Sequence, residues 1–210
     1  MNVILTPHEH CRVYNDWHQY LQGDLPSAVL FIKGISIGKY IDEFLNATAR
    51  NRYRYSIKAG YESRMITWED RNNYLNDIYE VNTSAPVRQG REMSEGYKKQ
   101  PERYSGVMHE CPHHYVRFIG CFKDGKLVGY ISAHFCGEMA AASQILGHAA
   151  HLKHGIMLNL WVKFIEECMA RRITTVVYSR WKDGTDGLKY WKHSVGMRSL
   201  VLKEFEGAVV

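Results

Sequence analysis

The stretch Leu152-Lys153-His154-Gly155-Ile156-Met157 links a predicted strand to the most regular predicted helix of the chain. Small residues fill the strand at residues 139–146, and residues 157–172 repeat apolar side chains near the helical period. Glycine suits a turn between them because it can adopt a positive φ. Backbone N–H groups are unpaired at a helix N-terminus, so this turn is also a candidate anion site.

The elements around this turn predict a mixed sheet. Residues 115–122 and 127–135 predict a β-hairpin, because Asp124-Gly125 between them is a typical hairpin turn. Downstream are a β-branched strand, a short helix that stops at Gly196 and a final strand, at residues 174–179, 186–195 and 198–205. Strands and helices that alternate around a hairpin predict an α/β (α+β) fold.

The first half of the chain predicts further elements before the hairpin. They are a buried strand, a helix and an alternating strand with arginines on one face and tyrosines on the other, at residues 28–34, 37–50 and 51–65. Thr67 and Asp70 form a capping box that begins a helix ending near Val81. Residues 82–105 predict a long loop with one helical turn, and such loops are usually functional or mobile.

Composition favours a globular, cytoplasmic protein. The chain has 210 residues, of which 45% are hydrophobic and 12% aromatic, so it can build a core. No apolar run approaches the ~20 residues that span a bilayer, and the N-terminus lacks a signal-peptide pattern. We therefore expect no membrane association. The five cysteines are widely spaced and contain no CxxC pair, which is typical of reduced thiols.

The net charge of +5 is unevenly distributed. Residues 1–110 carry 14 basic and 14 acidic side chains, whereas residues 111–210 carry 13 basic and 8 acidic ones. The excess lies in the half that contains Gly155, which favours an anionic ligand such as a nucleotide cofactor or nucleic acid. A basic, solvated surface is the alternative interpretation.

The order of hairpin, strand, glycine turn, helix, strand and helix resembles the core of the GCN5-related N-acetyltransferase (GNAT) superfamily. The family loop Arg/Gln-x-x-Gly-x-Gly/Ala aligns with residues 152–157, where Leu and Met replace its first and last positions. The family's C-terminal aromatic-Tyr-x-x-x-Gly-Phe aligns with Trp191, Lys192 and Gly196-Met197. The resemblance implies one GNAT-like domain over residues 1–210 with a mixed, mostly antiparallel sheet flanked by helices. Its acceptor side would be residues 1–110 and its donor-binding core residues 111–210.

The resemblance also implies an activity, which is acyl transfer from acetyl-CoA or another acyl-CoA to a small or polymeric amine. The residues implied for donor binding form the glycine turn: Lys153, His154, Gly155, Ile156 and Met157. The residues implied for acceptor binding lie in the long loop: Arg88, Arg91 and Tyr97.

Acyl transfer to an amine requires a base for the amine proton and an acid for the leaving group. Glu138 and His148 flank the predicted strand before the glycine turn and are the candidate bases, with two more histidines nearby. Tyr190 and Lys192 are the candidate acids, and Tyr178 is a further candidate.

Alternatives stay open at this level. A GNAT-fold enzyme that uses another activated donor to modify nucleic acid, as in bacteriophages, fits the altered loop and the basic half. A non-catalytic GNAT-like binding module is the other alternative.

The segment His109-Glu-Cys-Pro-His113-His114 contains metal-ligand residue types but no second ligand pair at zinc spacing, so we expect no metal. The chain lacks the GxSxG, Walker A, GxGxxG and HExxH motifs, which excludes the enzyme classes that these motifs define.

Overall fold

A seven-stranded sheet lies at the centre of the computed structural model, which describes residues 25–104 and 114–201. The strands in chain order are β1 Ser27–Phe31, β2 Glu62–Ile66, β3 Val87–Arg88, β4 Arg91–Glu92, β5 His114–Lys123, β6 Lys126–Cys136, β7 Met139–Gly147, β8 Thr175–Arg180 and β9 Arg198–Leu200. Across the sheet the order is β2-β5-β6-β7-β8-β1-β9, while β3 and β4 form a separate ribbon. Among the strands of these two ranges, only β7 and β8 pair in parallel. This topology confirms the predicted mixed, mostly antiparallel sheet.

Helices cover both faces of the sheet. They are α1 Ile37–Lys39, α2 Ala47–Lys58, α3 Trp68–Arg71, α4 Leu75–Thr83, α5 Glu95–Lys98, α6 Ile156–Ala170 and α7 Asp186–Ser194. A π-helical turn, Tyr40–Phe44, follows α1, and 3₁₀ turns precede α4 and α6 at Asn72–Tyr74 and Ala149–His154. No helix in these two ranges has the length and apolar content to cross a bilayer.

Alternate residues of β6 supply the cores on the two faces, because successive side chains of a strand point to opposite sides. Ile131 packs into the larger core together with the buried residues of α6, including Leu160 and Trp161. Tyr130 packs into the smaller core beside Ile78 of α4. The two faces of the sheet therefore have separate partners.

The strand β7 departs from β8 part of the way along its length. The two strands pair only from Met139 to Ala141, whereas β7 continues along β6 to Gly147. Ser143 is an extra residue in β7, between the pairs Ser132–Gln144 and Ala133–Ala142, and its hydroxyl donates to the Ser132 carbonyl over 2.8 Å. Such a β-bulge bends its strand. A gap consequently opens between β7 and β8 beyond residue 141.

Two predictions for the first half of the chain are wrong. The helix predicted over residues 37–50 is interrupted at Leu45, and Asn46 caps a new helix, α2, by accepting a hydrogen bond from the Ala49 N–H. The strand predicted over residues 51–65 is mostly this helix, followed by β2. Its most buried positions, Ala49, Tyr53 and Ser56, follow a helical period. The alternation of arginine and tyrosine therefore does not indicate a strand, because most of these side chains are exposed on the helix.

Other predictions agree more closely with the structure. Thr67 caps α3 by accepting a hydrogen bond from the Asp70 N–H, as the capping box predicts. The Asp124-Gly125 hairpin is present, and the loop predicted at residues 82–105 contains the helical turn α5. The ribbon of β3 and β4 in that loop was not predicted. The final strand is described to Leu200, and residues 202–205 and the metal-like residues 109–113 lie outside the described ranges.

Gly155 adopts the predicted positive φ, at 76°, directly before α6. However, the turn is covered, because α2 packs on it. A Cβ atom at residue 155 would lie 2.4 Å from the carbonyl oxygen of Arg52. The glycine is therefore required by its φ and by contact with the backbone of α2. This contact closes the side of Gly155 to which a Cβ atom would point; the anion site at the N–H groups of the turn stays a prediction.

We expect Gly155→Ala to lower the free energy of unfolding by about 3 kcal/mol, because a positive φ costs about 1–2 kcal/mol and overpacking adds a similar amount. Gly34 has a comparable φ of 70°, and a Cβ atom added there would have no neighbouring atom within 4 Å. Gly34→Ala should therefore lose only about 1 kcal/mol, the part due to φ. Denaturant unfolding of both variants measures the difference. Equal losses would contradict the contact with α2.

Candidate active site

The gap between β7 and β8 contains a cavity of about 420 Å³, which we call the cleft. Most of its lining is apolar: Ala85, Val87, Ile145, Leu152, Met157, Leu188 and Trp191. Its polar side chains are Arg88, Gln89, Tyr178 and Thr185. Within the described residues, no carboxylate or imidazole lines it. The cleft therefore suits an uncharged and largely apolar part of a ligand.

The ribbon of β3 and β4 forms one wall of the cleft, and Arg88 holds it in place. The guanidinium donates to the carbonyl of Gly147 at the end of β7 over 2.8 Å and to the carbonyl of Val81 over 2.6 Å. It also donates to the Ser84 hydroxyl over 2.8 Å. At the tip of the ribbon, Gly90 lies against Thr185, just before α7. Arg88 thus fixes the entrance of the cleft through the backbone of its neighbours.

Tyr178 is the one phenol that lines the cleft among the described residues. It lies on β8 and is only 8% exposed. Burial raises the pKa of Tyr178, while a hydrogen bond with the Gln89 side chain and the charge of Arg91 act in the opposite direction. The phenol stays protonated at neutral pH and can donate a proton inside the cleft.

A second cavity, also of about 420 Å³, lies on the other face of the sheet between β6, β7 and the helices α3 to α5. We call it the polar pocket. Its hydrogen-bonding side chains include Arg71, Asn82, Tyr130, Ser132 and Gln144. The Tyr130 hydroxyl donates to Asn82 Oδ1 over 2.7 Å, and burial raises the pKa of Tyr130. No carboxylate lines this pocket in the described part of the chain.

The strand β7 separates the two cavities. Gln144 lines the polar pocket, and the next residue, Ile145, lines the cleft, because adjacent side chains of a strand point to opposite faces. Beyond Ala141 the edge of β7 that faces β8 is unpaired with that strand. A ligand in the cleft and a ligand in the polar pocket would therefore approach each other at this edge.

Of the residues predicted to bind the donor, only Met157 lines the cleft. Lys153 is exposed, Ile156 is fully buried and Gly155 is covered by α2. The His154 ring stacks on Tyr61, with ring centroids 5.6 Å apart. These contacts cover the turn on the side of α2, and donor binding at its N–H groups stays a prediction.

The candidate bases lie outside both cavities. Glu138 is exposed in the turn before β7, at the end of the sheet opposite the gap, where its carboxylate accepts from the Thr174 hydroxyl. His148 caps the 3₁₀ turn by accepting from the Ala150 N–H over 3.3 Å. Because a 3₁₀ turn has three residues per turn, His148, His151 and His154 lie on one side of it, and Leu152 faces the cleft. The catalytic roles of Glu138 and His148 stay predictions, which this placement does not support.

The candidate acids Tyr190 and Lys192 differ sharply in burial. Tyr190 is 57% exposed, and its hydroxyl accepts from the Asn46 side chain. Lys192 is fully buried, and its ammonium donates to the carbonyls of Arg180, Trp181 and Asp183 over 2.6, 3.2 and 3.1 Å. Three hydrogen bonds use all the donors of an ammonium group. Lys192 therefore ties the loop after β8 to α7, and neither residue lines the cleft.

The residues predicted for the acceptor are divided between the two cavities. Arg88 lines the cleft as the anchor of the ribbon, and Tyr97 lines the polar pocket. Arg91 is exposed on β4. Sequence reasoning missed Arg71, Tyr130 and Gln144. In the sequence, Tyr130 and Gln144 are polar residues in otherwise apolar strands, and Arg71 is a charged residue on a short capped helix. These patterns do not reveal that the three side chains line one pocket.

Together, the fold and the cleft define a class of protein: an acyltransferase-type α/β domain with a ligand-sized gap between two diverging parallel strands. A model of the acetyltransferase (GNAT) family matches residues 75–196. The chain belongs to this family. A comparison with curated proteins gave no match.

Three solved structures with this fold are similar to the chain at low identity. FemX has a TM-score of 0.62 at 10% identity, over 86% of this chain and 61% of its own. The C-terminal domain of a candidate lysylphosphatidylglycerol synthetase from Agrobacterium fabrum has a TM-score of 0.56 at 10% identity, over 83% and 57%. A tandem GNAT protein from the clavulanic acid biosynthesis pathway has a TM-score of 0.52 at 14% identity, over 89% and 54%. The chain spans less than two thirds of the length of each of these proteins, and at such identity they show the fold alone.

We expect Lys192→Met to lower the free energy of unfolding by about 2–3 kcal/mol, because it leaves buried carbonyls without donors. Lys189 lies on the same helix with an exposed side chain that pairs with Asp186. The matched variant Lys189→Met should change stability by less than about 0.5 kcal/mol. Thermal or denaturant unfolding measures both. A stable Lys192→Met protein would show that these hydrogen bonds do not hold the loop.

Proposed function

We propose that this protein transfers an acyl group from an activated donor in the cleft to an amine that enters from the polar pocket. The observation that supports the proposal is the early end of pairing between β7 and β8. It leaves a largely apolar cleft on one side of β7 and a polar pocket on the other. An acyl chain suits the first environment, and a polar amine suits the second.

The reaction joins the amine nitrogen to the acyl carbonyl carbon. A C–N bond forms, and the bond from that carbon to the leaving sulfur or oxygen breaks. The amine loses one proton and the leaving atom gains one. Because no carboxylate or histidine lines either cavity in the described residues, the amine proton passes to water in this proposal. Tyr178 donates a proton to the leaving atom and regains one from water, and the two cavities contribute mainly by positioning.

We expect Tyr178→Phe to lower kcat by about 10²- to 10⁴-fold, the usual contribution of a general acid, with little change in stability. Tyr190→Phe is the competing variant, because Tyr190 was a candidate acid from the sequence and is exposed. It should keep nearly full activity. Steady-state rates of both variants distinguish the two assignments. A large loss in Tyr190→Phe with an active Tyr178→Phe would reverse them.

The family's usual donor, an acyl-CoA, fits this protein only in part. The apolar cleft suits its acyl and pantetheine portion. At the Gly155 turn, the carbonyl of Arg52 closes the side of the glycine to which a Cβ atom would point, which leaves less room there for its pyrophosphate. This covered turn favours a second candidate: transfer from another activated acyl donor, such as an ester.

Thermal unfolding with and without ligand distinguishes the donors. A ligand that binds only the native state raises the free energy of unfolding, by about 2.7 kcal/mol at a concentration of 100 times its Kd, and so raises the melting temperature. We expect a small or no shift with CoA, whose pyrophosphate lacks its usual site. A larger shift is expected with an S-acyl pantetheine, which lacks the nucleotide. A strong shift with CoA that S-acyl pantetheine does not reproduce would contradict our interpretation of the Gly155 turn.

A further inference from the structure

The polar pocket contains a cation, Arg71, that has no counter-ion among the described residues. Arg71 ends α3 and is half-buried beside two aromatic rings, with its guanidinium carbon 5.6 Å from the centroid of Trp68 and 5.7 Å from that of Phe118. Within the same part of the chain its guanidinium makes one hydrogen bond, from Nη1 to the Glu102 carbonyl over 3.1 Å, and no carboxylate lies within ion-pair distance. A guanidinium has five N–H donors. Most of these donors of Arg71 are therefore not used by the described residues.

The other arginine near this region, Arg88, has a different set of partners. Arg88 donates three hydrogen bonds to two carbonyls and a hydroxyl, which fix the ribbon. The positive charges of both arginines act on Tyr130 and lower its pKa, against the larger effect of burial. As far as the chain is described, no carboxylate lines this region. Arg88 lines the cleft and has one buried donor, Nε, without a partner there, whereas Arg71 lines the polar pocket and has most of its donors unused.

The shape and polarity of the pocket match a small charged molecule. Asn82, Ser132 and Gln144 supply further hydrogen-bonding groups, and Trp68 and Phe118 form apolar walls. In such surroundings, a guanidinium binds a carboxylate or phosphate through two parallel hydrogen bonds. The fixed aromatic contacts of Arg71 limit its movement, so less side-chain entropy is lost on binding.

We propose that the polar pocket recognises an anionic group, a carboxylate or a phosphate, on the acceptor amine, and that Arg71 is its principal contact. This inference rests on the proposed function, because the ligand of the polar pocket is an acceptor only if the protein transfers an acyl group. It narrows the substrate class to amines that carry a negative charge. Arg71 would hold the anion at α3, which leaves the amine to point toward the edge of β7 beside Gln144.

Calorimetric titration of the full chain without any donor tests the inference through matched ligands. The pairs are glycine with glycinamide, β-alanine with β-alaninamide, and O-phosphoethanolamine with ethanolamine. At least one anionic member should bind about tenfold or more tightly than its neutral partner, as expected for charge-assisted bidentate hydrogen bonds. Discrimination in the first two pairs identifies a carboxylate, and in the third pair a phosphate. Equal or no binding within every pair overturns the inference.

Variants then test the contact itself. Arg71→Gln should weaken binding of the anionic ligand about ten- to hundredfold and leave the neutral partner unchanged. Arg71→Lys keeps the charge without the planar fork and should lose less. Arg64→Gln is the matched control, since Arg64 also contacts an aromatic ring, 4.4 Å from Phe122, but lines neither cavity. Wild-type affinity in Arg71→Gln would overturn the assignment. If Arg71→Gln does not fold, the Lys variant and the ligand pairs decide.

The outcomes separate this inference from the proposed function. Anion discrimination that depends on Arg71, in a protein that transfers no acyl group, would support the binding site and reject acyl transfer. Transfer to neutral amines, without preference for anionic ones, would support acyl transfer and reject the anion site.

Discussion

The strand β7 keeps its hydrogen bonds to β6 along its whole length but leaves β8 after Ala141. The bulge at Ser143 bends β7 at this point, and the parallel neighbour cannot follow it. The arrangement of the two cavities depends on this divergence of β7 from β8. It creates the cleft, exposes the edge of β7, and places Gln144 and Ile145 in two different cavities. A flat, fully paired sheet of the same strands would have neither the cleft nor an unpaired edge between its two faces.

Two basic residues near the cleft donate their hydrogen bonds mainly to backbone carbonyls. Arg88 and Lys192 each donate three hydrogen bonds, and five of the six acceptors are carbonyl oxygens at the ends of strands, in loops or in the last turn of α4. Carbonyls in such positions lose their partners where regular structure stops, and an unpaired buried carbonyl is costly. The two side chains therefore stabilise the irregular backbone around the gap. Arg71 differs because its aromatic contacts position it without using its donors.

The packing of α2 on the Gly155 turn changes how a donor can be bound. In the family pattern, a glycine at this place lets phosphate oxygens approach the backbone. Here the backbone of Arg52 makes that close approach instead. In the function proposed above, affinity for a donor would come mainly from the apolar cleft. This is consistent with the Leu and Met residues of the turn, since both Leu152 and Met157 line the cleft.

The sequence by itself determined the elements whose signals are local. The Asp124-Gly125 hairpin, the Thr67 cap, the regular apolar helix α6 and the positive φ of Gly155 all follow from residues a few positions apart. Local alternation misled the prediction for α2, because its exposed face imposes little pattern and only tertiary contacts with α6 select the helix. The tertiary structure alone decided which side chains meet. Arg71, Tyr130 and Gln144 come from α3, β6 and β7, and the burial of Lys192 depends on a loop that folds back over α7. Such contacts join residues distant in the chain, and no short-range pattern encodes their geometry.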